Sequence, residues 1–310
     1  PSTNGVVAGH VVELNPPSTP SKEELTAWMD ANKDKVRGRI VFMGKAAVLK
    51  VSFATPAKRL DDAEAAARFD PLNPTPMNFG RQQVQTPEGK LSANQVNELI
   101  DPWLAASGAL LRVNDAGREF GQIRAFANRS YDVAKAVPTV VLRNEDYGRI
   151  ERLLNDKDDV AVQFDIANHV YPKGETSYNV VAEIPGTDKA DEIVMLGGHL
   201  DSWHSATGAT DNAIGSSMMM EAVRLIQSLG LRPRRTIRIA LWSGEEQGLL
   251  GSQAYVKDHF GTFEEQKPEY PKLSAYFNID SGTGRVRGAG VFGPPEAAAA
   301  VRQALAPFAD

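Results

Sequence analysis

The second half of the chain alternates short apolar runs with segments of helical periodicity, and this alternation constrains the fold more than any other feature. Strands are predicted over residues 178–184, 192–198, 236–242 and 274–279. One helix is predicted over residues 214–229, where Gly230 ends it, and another from near Gln247 to His259. Strands that alternate with helices are typical of an α/β fold. We therefore predict a mixed, mostly parallel sheet flanked by helices.

The first half of the chain predicts a separate, β-rich unit. A length of 310 residues suits two domains, and we place them at residues 1–167 and 168–310. Ser21 and Glu24 form a capping-box pattern that opens a helix to about Met29. Residues 54–90 carry five prolines and little periodicity, which indicates an irregular excursion. The strands of this unit are predicted over residues 6–14, 40–43, 109–113, 138–142 and 160–166, with helices near residues 96–104 and 144–154.

Charge and composition exclude several classes of function. The chain has 34 Lys and Arg against 39 Asp and Glu, a formal charge of −5, so nucleic acid is not an expected partner. It contains no stretch of about 18 consecutive apolar residues, as a membrane span requires. It also contains no cysteine, which excludes disulfides, thiolate metal sites and cysteine nucleophiles.

Reactive side chains follow the predicted strands of the second half. His199 and Asp201 follow one strand, Asp211 begins the next helix, Glu245 and Glu246 follow the third strand, and Asp280 follows the last. Ligands of open α/β sheets bind outside the carboxyl ends of the strands. We therefore expect these side chains to converge on one edge of the sheet.

One histidine with several carboxylates favours metal-assisted hydrolysis. Imidazole and carboxylate ligands suit zinc, or alternatively manganese or cobalt, and clustered carboxylates need cations to neutralise them. Asp211 lies between two strand ends and could bridge two ions. Asp201 is close enough in sequence to hold the second ring nitrogen of His199. Of the adjacent Glu245 and Glu246, one can ligate metal while the other serves as general base.

The motifs resemble those of metallopeptidase family 28. They are His-Leu-Asp-Ser from His199, Gly-Ala-x-Asp-Asn from Gly208, Gly-Glu-Glu-x-Gly-Leu-x-Gly-Ser from Gly244 and Asn-Ile-Asp from Asn278. The resemblance implies a zinc site of His199, Asp211 and Asp280 and a second zinc site of Asp211 and Glu246. It also implies that Glu245 is the general base and that Asp201 supports His199.

The same resemblance implies an exopeptidase that hydrolyses short peptides, foremost an aminopeptidase, secreted or periplasmic. A dipeptidase or carboxypeptidase of the plasma glutamate carboxypeptidase type is the first alternative. A noncatalytic binding protein on this scaffold and a one-zinc acyltransferase similar to glutaminyl cyclase are two others. The first unit resembles, more loosely, the protease-associated domain that many members insert before these motifs.

One departure from the family pattern concerns the second zinc. The pattern requires a further histidine downstream of Asp280, and His10, His169, His204 and His259 do not fit that position. We therefore expect the chain to be clipped at both ends, to hold one zinc ion or none, and to have little or no peptidase activity. We also expect exposed apolar surface that favours a homodimer.

Each of these residues also has a purely structural interpretation. His199 could be a hydrogen-bonded structural residue, and Asp211 could cap a helix. Glu245 and Glu246 could be a solvated pair in the first turn of a helix, and Asp280 could stabilise the turn before Gly282. Trp203 and His204 could line the substrate cleft or pack within their loop.

Overall fold

In the computed structural model, the chain forms two compact units, Pro1–Val170 and Tyr171–Asp310. Each unit has its own sheet, of five strands in the first and four in the second among the residues described. The structure describes residues 1–50, 52–53, 61–68, 86–123, 125, 135–169, 171, 176–203, 205–280, 288–294 and 296–308.

The first unit pairs a mainly parallel sheet with helices on both faces. Its strands are β1 (Val7–Leu14), β2 (Ile40–Met43), β3 (Leu111–Asp115), β4 (Thr139–Leu142) and β5 (Ala161–Phe164). They lie in the order β4-β3-β2-β1-β5; β1 to β4 are parallel, and β5 is antiparallel to β1. Its helices are α1 (Lys22–Val36), α2 (Asp62–Arg68), α3 (Ala93–Ala106) and α4 (Asn144–Asn155). Helices are therefore as prominent as strands in this unit.

Two helices of the first unit depart from the sequence prediction. The capping box of Ser21 and Glu24 is present, but α1 continues beyond Met29 because its apolar face continues to the fully buried Val36. The proline-rich excursion contains α2, which Asp61 begins by accepting a hydrogen bond from the Glu64 N–H at 2.8 Å. Residues 54–60 and 69–85 of that excursion lie outside the described residues.

The second unit confirms the predicted α/β class. Its strands are β6 (Val180–Ile184), β7 (Lys189–His199), β8 (Arg235–Trp242) and β9 (Leu273–Asn278), in the order β6-β8-β7-β9. β7, β8 and β9 are parallel, and β6 is antiparallel to β8. The sheet is thus mixed and mostly parallel. Its helices are α5 (Ile214–Ser228), α6 (Leu250–His259) and α7 (Ala297–Leu305).

Two apolar layers hold helices α5 and α6 of the second unit against its sheet. Met219 of α5 packs against Ile239 and Leu241 of β8 on one face. On the other face, Tyr255 of α6 packs against Trp242, with ring centroids 5.1 Å apart. These layers fix the carboxyl ends of β7 and β8 relative to each other. Among the described residues, none of the helices combines the length and the apolar character that crossing a membrane requires.

Helix α6 begins later than predicted. The sequence places its start near Gln247, but the helix begins at Leu250. Gly248 has φ 121° and Leu249 has φ 62°, and a right-handed helix cannot include such left-handed backbone. Glu245 and Glu246 therefore lie in a loop before the helix and not in its first turn.

Candidate metal centre

The predicted site residues meet at the carboxyl edge of the second sheet. His199 is the last residue of β7, and Asp280 follows β9 by two residues. Glu245 and Glu246 lie in the loop between β8 and α6. Because β7, β8 and β9 are parallel, their ends bring these side chains together from distant positions in the sequence.

The imidazole of His199 is at the centre of the cluster. This residue is only 2% exposed, and its Nε2 atom lies 3.0 Å from Oδ1 of Asp211 and 3.1 Å from Oδ1 of Asp280. Oε2 of Glu245 is 3.9 Å from the same nitrogen. One ring nitrogen therefore faces three carboxylates, which come from three different loops.

These side chains fit a divalent cation. His199, Glu245 and Asp280 each offer a ligand atom, and the three atoms lie within 4.8 Å of one another. Burial raises the pKa of Glu245, and the charge of Asp280 raises it further. Burial also raises the pKa of Asp280. A cation would relieve both the desolvation and the mutual repulsion, and a set of one imidazole with carboxylates suits zinc.

The protonation of His199 reflects the same acidic surroundings. Burial alone lowers the pKa of its imidazole, but the carboxylates of Asp280 and Glu245 and the main chain of Asp201 outweigh burial and raise it. In the absence of a cation the ring is thus stabilised in its charged form. A metal ion would replace that proton at the centre of the carboxylates.

Asp201 contacts the site differently from the sequence expectation. Nδ1 of His199 lies 2.9 Å from the main-chain carbonyl oxygen of Asp201 and 3.6 Å from the nearer carboxylate oxygen. The carboxylate instead accepts hydrogen bonds from the backbone N–H groups of Glu245 at 3.0 Å and Glu246 at 3.1 Å. Asp201 therefore links the loop after β7 to the loop after β8.

Asp211 does not cap helix α5. The N-cap of that helix is Ala213, which provides no side-chain cap, and Asp211 has φ −127° and ψ 90° within a preceding π-helical turn. The peptide bond between Asp211 and Asn212 is cis. The Asp211 side chain is 68% exposed and directs one oxygen at His199, which leaves the other side of its carboxylate toward solvent.

Glu246 lies within electrostatic reach of Asp211. Burial raises the pKa of Glu246 and the charge of Asp211 raises it further, whereas a hydrogen bond from the Trp203 side chain lowers it. Trp203, a candidate for the cleft lining, is 37% exposed. It thus sits beside the glutamate pair, while His204 lies outside the described residues.

Three supporting residues were not predicted from the sequence. Nδ2 of the buried Asn212 donates to the Ile279 carbonyl oxygen at 2.8 Å, next to Asp280. Ser216 Oγ donates to the His199 carbonyl oxygen at 2.8 Å. The Tyr276 hydroxyl accepts from Nε1 of Trp242 at 2.7 Å, across the ends of β9 and β8. Asn212 stood within a recognised motif, but Ser216 and Tyr276 gave no signal beyond helix and strand patterning.

The other described histidines have different surroundings. In the first unit, Nδ1 of His10 in β1 lies 2.6 Å from Oδ1 of Asp159. The His259 ring stacks on Tyr255 of the same helix at a centroid distance of 4.1 Å. His169 is an exposed residue of the first unit. Among the residues described, His199 is thus the histidine of the acidic cluster.

Comparison with known proteins gives a family match over the second unit. Residues 179–309 match the model of peptidase family M28. Carboxypeptidase Q of Rattus norvegicus is 34% identical over 174 residues, which cover 56% of this chain and 35% of that protein. Leupeptin-inactivating enzyme 1 of Streptomyces exfoliatus is 37% identical over 107 residues, which cover 34% of this chain and 23% of that protein. The matches thus span about a third or less of the length of these curated relatives.

Two solved structures were also found by comparison of folds. A peptidase M28 precursor of Shewanella amazonensis SB2B has a TM-score of 0.49 and 23% identity, over 90% of this chain and 52% of that chain. An aminopeptidase of Aneurinibacillus sp. strain AM-1 has a TM-score of 0.49 and 18% identity, over 90% and 52% of the two chains.

Proposed function

Because residues 179–309 match the model of peptidase family M28, we propose that this chain is a member of that family and a zinc-dependent exopeptidase that hydrolyses short peptides. The observation that carries the proposal is the buried Nε2 atom of His199 with carboxylate oxygens of Asp211 and Asp280 at 3.0 and 3.1 Å. A structural histidine needs one acceptor for each ring N–H, whereas this nitrogen faces several carboxylates at once. Such a set is costly without a cation and favourable with one.

We assign the zinc ligands to His199, Asp211 and Asp280, with Glu246 joining Asp211 on its more exposed side. Zinc, when bound there, supplies Lewis-acid polarisation of a carbonyl or a water molecule. Asp211 suits a bridging role because one of its oxygens contacts His199 while its side chain is largely exposed. The Trp203 side chain restrains Glu246.

We assign the general base to Glu245. Burial and the charge of Asp280 raise the pKa of this carboxylate, which brings it closer to the range in which a group both takes up and releases a proton near neutral pH. In the proposed reaction Glu245 takes a proton from the attacking water and passes it to the leaving amine. Asp201 holds the main chain of Glu245 through its hydrogen bond with the Glu245 N–H.

An aminopeptidase is our first choice among exopeptidases. The carboxylates around His199 make the site strongly acidic, and a free α-ammonium group is attracted to such a site, whereas a substrate carboxylate needs a cation such as arginine. The name of carboxypeptidase Q, a relative at 34% identity, supports the alternative of a carboxypeptidase or dipeptidase. The terminus recognised by the enzyme must therefore be part of the test.

The ion count and the first unit are further parts of the proposal. In the part of the chain that the structure describes, the one set of candidate ligand atoms within 4.8 Å of one another contains His199. Among those residues, a second ion beside Asp211 and Glu246 would lack an imidazole ligand and be held more weakly, so we propose one tightly held zinc ion per chain. The protease-associated character of the first unit, a location outside the cytoplasm and a homodimer stay predictions.

The test is a substrate panel on the protein freed of metal by chelation and then titrated with zinc. Aminoacyl p-nitroanilides, unblocked dipeptides and the N-acetylated forms of both are compared at each zinc concentration. We expect zinc-dependent release of the N-terminal residue from free-amino substrates and none from acetylated ones. Preferential cleavage of acetylated peptides from the carboxyl end would favour the carboxypeptidase. Zinc and peptide binding without hydrolysis would overturn the proposal in favour of a binding protein.

A further inference from the structure

The loop that carries the two glutamates has an unfavourable backbone path. We refer to residues 243–251 as the glutamate loop. Gly244, Gly248 and Leu249 have φ values of 67°, 121° and 62°. Left-handed backbone is costly for a branched residue such as Leu249, by about 1 kcal/mol or more. The conformation of the loop must therefore be maintained by contacts around it.

The ends of the glutamate loop meet at a narrow neck. The Gly251 N–H donates to the Ser243 carbonyl oxygen at 2.9 Å, and the Leu250 N–H donates to the Gly244 carbonyl oxygen at 2.9 Å. Ser243 directly follows β8, and Gly251 lies in the first turn of α6. The neck thus joins the sheet to the helix, and any opening of it would displace Glu245 and Glu246 together.

Asn179 bridges both sides of this neck. It directly precedes β6, which pairs with β8. Its Oδ1 accepts a hydrogen bond from the Ser243 N–H at 3.1 Å, and its Nδ2 donates to the Gly251 carbonyl oxygen at 2.9 Å. A side-chain amide supplies one acceptor and a donor on the same planar group, so a single residue satisfies both ends of the neck.

The packing around the neck leaves no room for a side chain at position 251. A Cβ atom added to Gly251 would overlap Oδ1 of Asn179 and the carbonyl oxygen of Ser243. The hydroxyl groups of Ser177 and Ser243 are also hydrogen-bonded to each other. The close approach therefore depends on a glycine at position 251 and on a planar amide at position 179.

We propose that Asn179 is a positioning residue for the metal centre: its amide closes the neck of the glutamate loop and thereby fixes Glu245 and Glu246 relative to His199. This inference rests on the proposed function for its catalytic meaning. Asn179 has no described contact with any proposed ligand, so its effect must pass through the loop. Because the two glutamates have different proposed roles, loss of the amide should weaken zinc affinity and reduce turnover.

The experiment compares Asn179→Ala and Asn179→Asp with Tyr178→Ala in the full chain. Tyr178 is the exposed neighbour of Asn179 and serves as the matched control. The aspartate keeps the acceptor for the Ser243 N–H but directs a carboxylate oxygen at the Gly251 carbonyl oxygen. The aspartate variant therefore tests the same contact if the alanine variant fails to fold. Three quantities are measured: hydrogen exchange of peptides covering residues 243–251 and 214–228, zinc affinity by chelator competition, and kcat and KM.

We expect exchange in the glutamate loop of the metal-free variants to rise about tenfold, with helix α5 unchanged. Zinc affinity should fall about 10- to 100-fold, as expected for a residue that orients ligands. The kcat value should fall, whereas KM should stay within a factor of about three of the wild-type value. The control variant should match the wild-type protein in all three measurements.

Wild-type exchange in the glutamate loop together with wild-type zinc affinity would overturn the inference. A uniform rise of exchange in both peptides would also overturn it, because Asn179 would then contribute only to general stability. Failure of the proposed function is a separate result: it is an inactive wild-type protein, and it leaves the exchange and zinc measurements on Asn179 fully interpretable.

Discussion

The imidazole of His199 is held by the main chain of Asp201 and not by its side chain. The Nδ1 N–H donates to the carbonyl oxygen at 2.9 Å, while the nearer carboxylate oxygen is 3.6 Å away. A donor at Nδ1 leaves Nε2 free to present its lone pair to a metal ion. The Asp201 carboxylate is thereby free to hold the backbone N–H groups of Glu245 and Glu246.

The first prediction concerns Asp201→Asn. The main-chain contact with His199 survives this change, but the amide has one acceptor oxygen in place of two and directs its NH₂ group at a backbone N–H. We expect zinc affinity and activity to fall about 10- to 100-fold with little change in unfolding temperature. Chelator competition and thermal unfolding measure both quantities. Asp191→Asn, at an exposed position of β7, is the control; an equal effect of both substitutions would contradict the prediction.

The second prediction separates the two glutamates. Glu245→Gln should keep zinc affinity within a few-fold of wild type while turnover falls by about 10²–10⁴, as expected on loss of a general base. Glu246→Gln should instead weaken zinc binding. The measurements are zinc titration and kcat on the same preparations, with exposed Glu264→Gln as the control. If only the Glu245 variant lost zinc, Glu245 would be the zinc ligand and Glu246 the general base. That outcome is open to test because Glu245 Oε2 is 3.9 Å from the His199 Nε2 atom.

The third prediction concerns metal removal. Without a cation, the repulsion and desolvation that raise the pKa values of Glu245 and Asp280 act against the folded state. Zinc at about 100 times its Kd should stabilise the protein by about 2.7 kcal/mol. Thermal unfolding with zinc and with chelator measures the difference, and His199→Ala should abolish it. His10→Ala, in the first unit, should preserve it; zinc stabilisation that survives in the His199 variant would place the ion elsewhere.

Much of the site was predictable from sequence because it depends on parallel strand order. His199 and Asp280 follow apolar runs whose carboxyl ends converge in any α/β sheet, so their proximity follows from patterning. The contacts of Asp201 could not be predicted, because they depend on how the loop after β8 folds. In that loop, Leu249 has a φ of 62°. Non-glycine residues rarely adopt left-handed backbone, so the sequence gives no reason to expect it at a leucine. Asn179 lies more than sixty residues from the loop it closes, and asparagine before a strand has many ordinary uses.

The end of helix α1 also shows which features sequence patterns fail to detect. The end of α1 at Val36 was underestimated because the apolar stripe includes the buried polar residue Asn32, which hydropathy alone places at the surface. Asn32 donates to the Trp28 carbonyl oxygen one turn earlier, so its polar group is satisfied within the helix. Periodicity detects apolar faces well, but it does not detect a polar residue whose hydrogen bond is local.

The last prediction concerns the layer beneath the metal centre, where Gly197 of β7 faces Tyr276 of β9. A Cβ atom at position 197 would overlap the Tyr276 ring and hydroxyl, which accepts from Trp242 Nε1 at 2.7 Å and donates to Asn278 Oδ1 at 2.9 Å. This hydroxyl thus joins the ends of β8 and β9 directly over β7, one layer below the ends that carry the proposed ligands.

Gly197→Ala should therefore destabilise the protein by about 1–3 kcal/mol through overpacking and should weaken zinc binding at the same time. Tyr276→Phe removes the hydroxyl that the new methyl group meets, so the two substitutions should couple by more than about 0.5 kcal/mol in a double-mutant cycle. Denaturant unfolding of the four metal-free proteins measures that coupling, and zinc titration shows whether affinity follows it. If the changes in unfolding free energy of the two single variants add to that of the double variant within about 0.3 kcal/mol, Tyr276 moves aside without cost. The hydroxyl would then have no part in aligning His199 with Asp280.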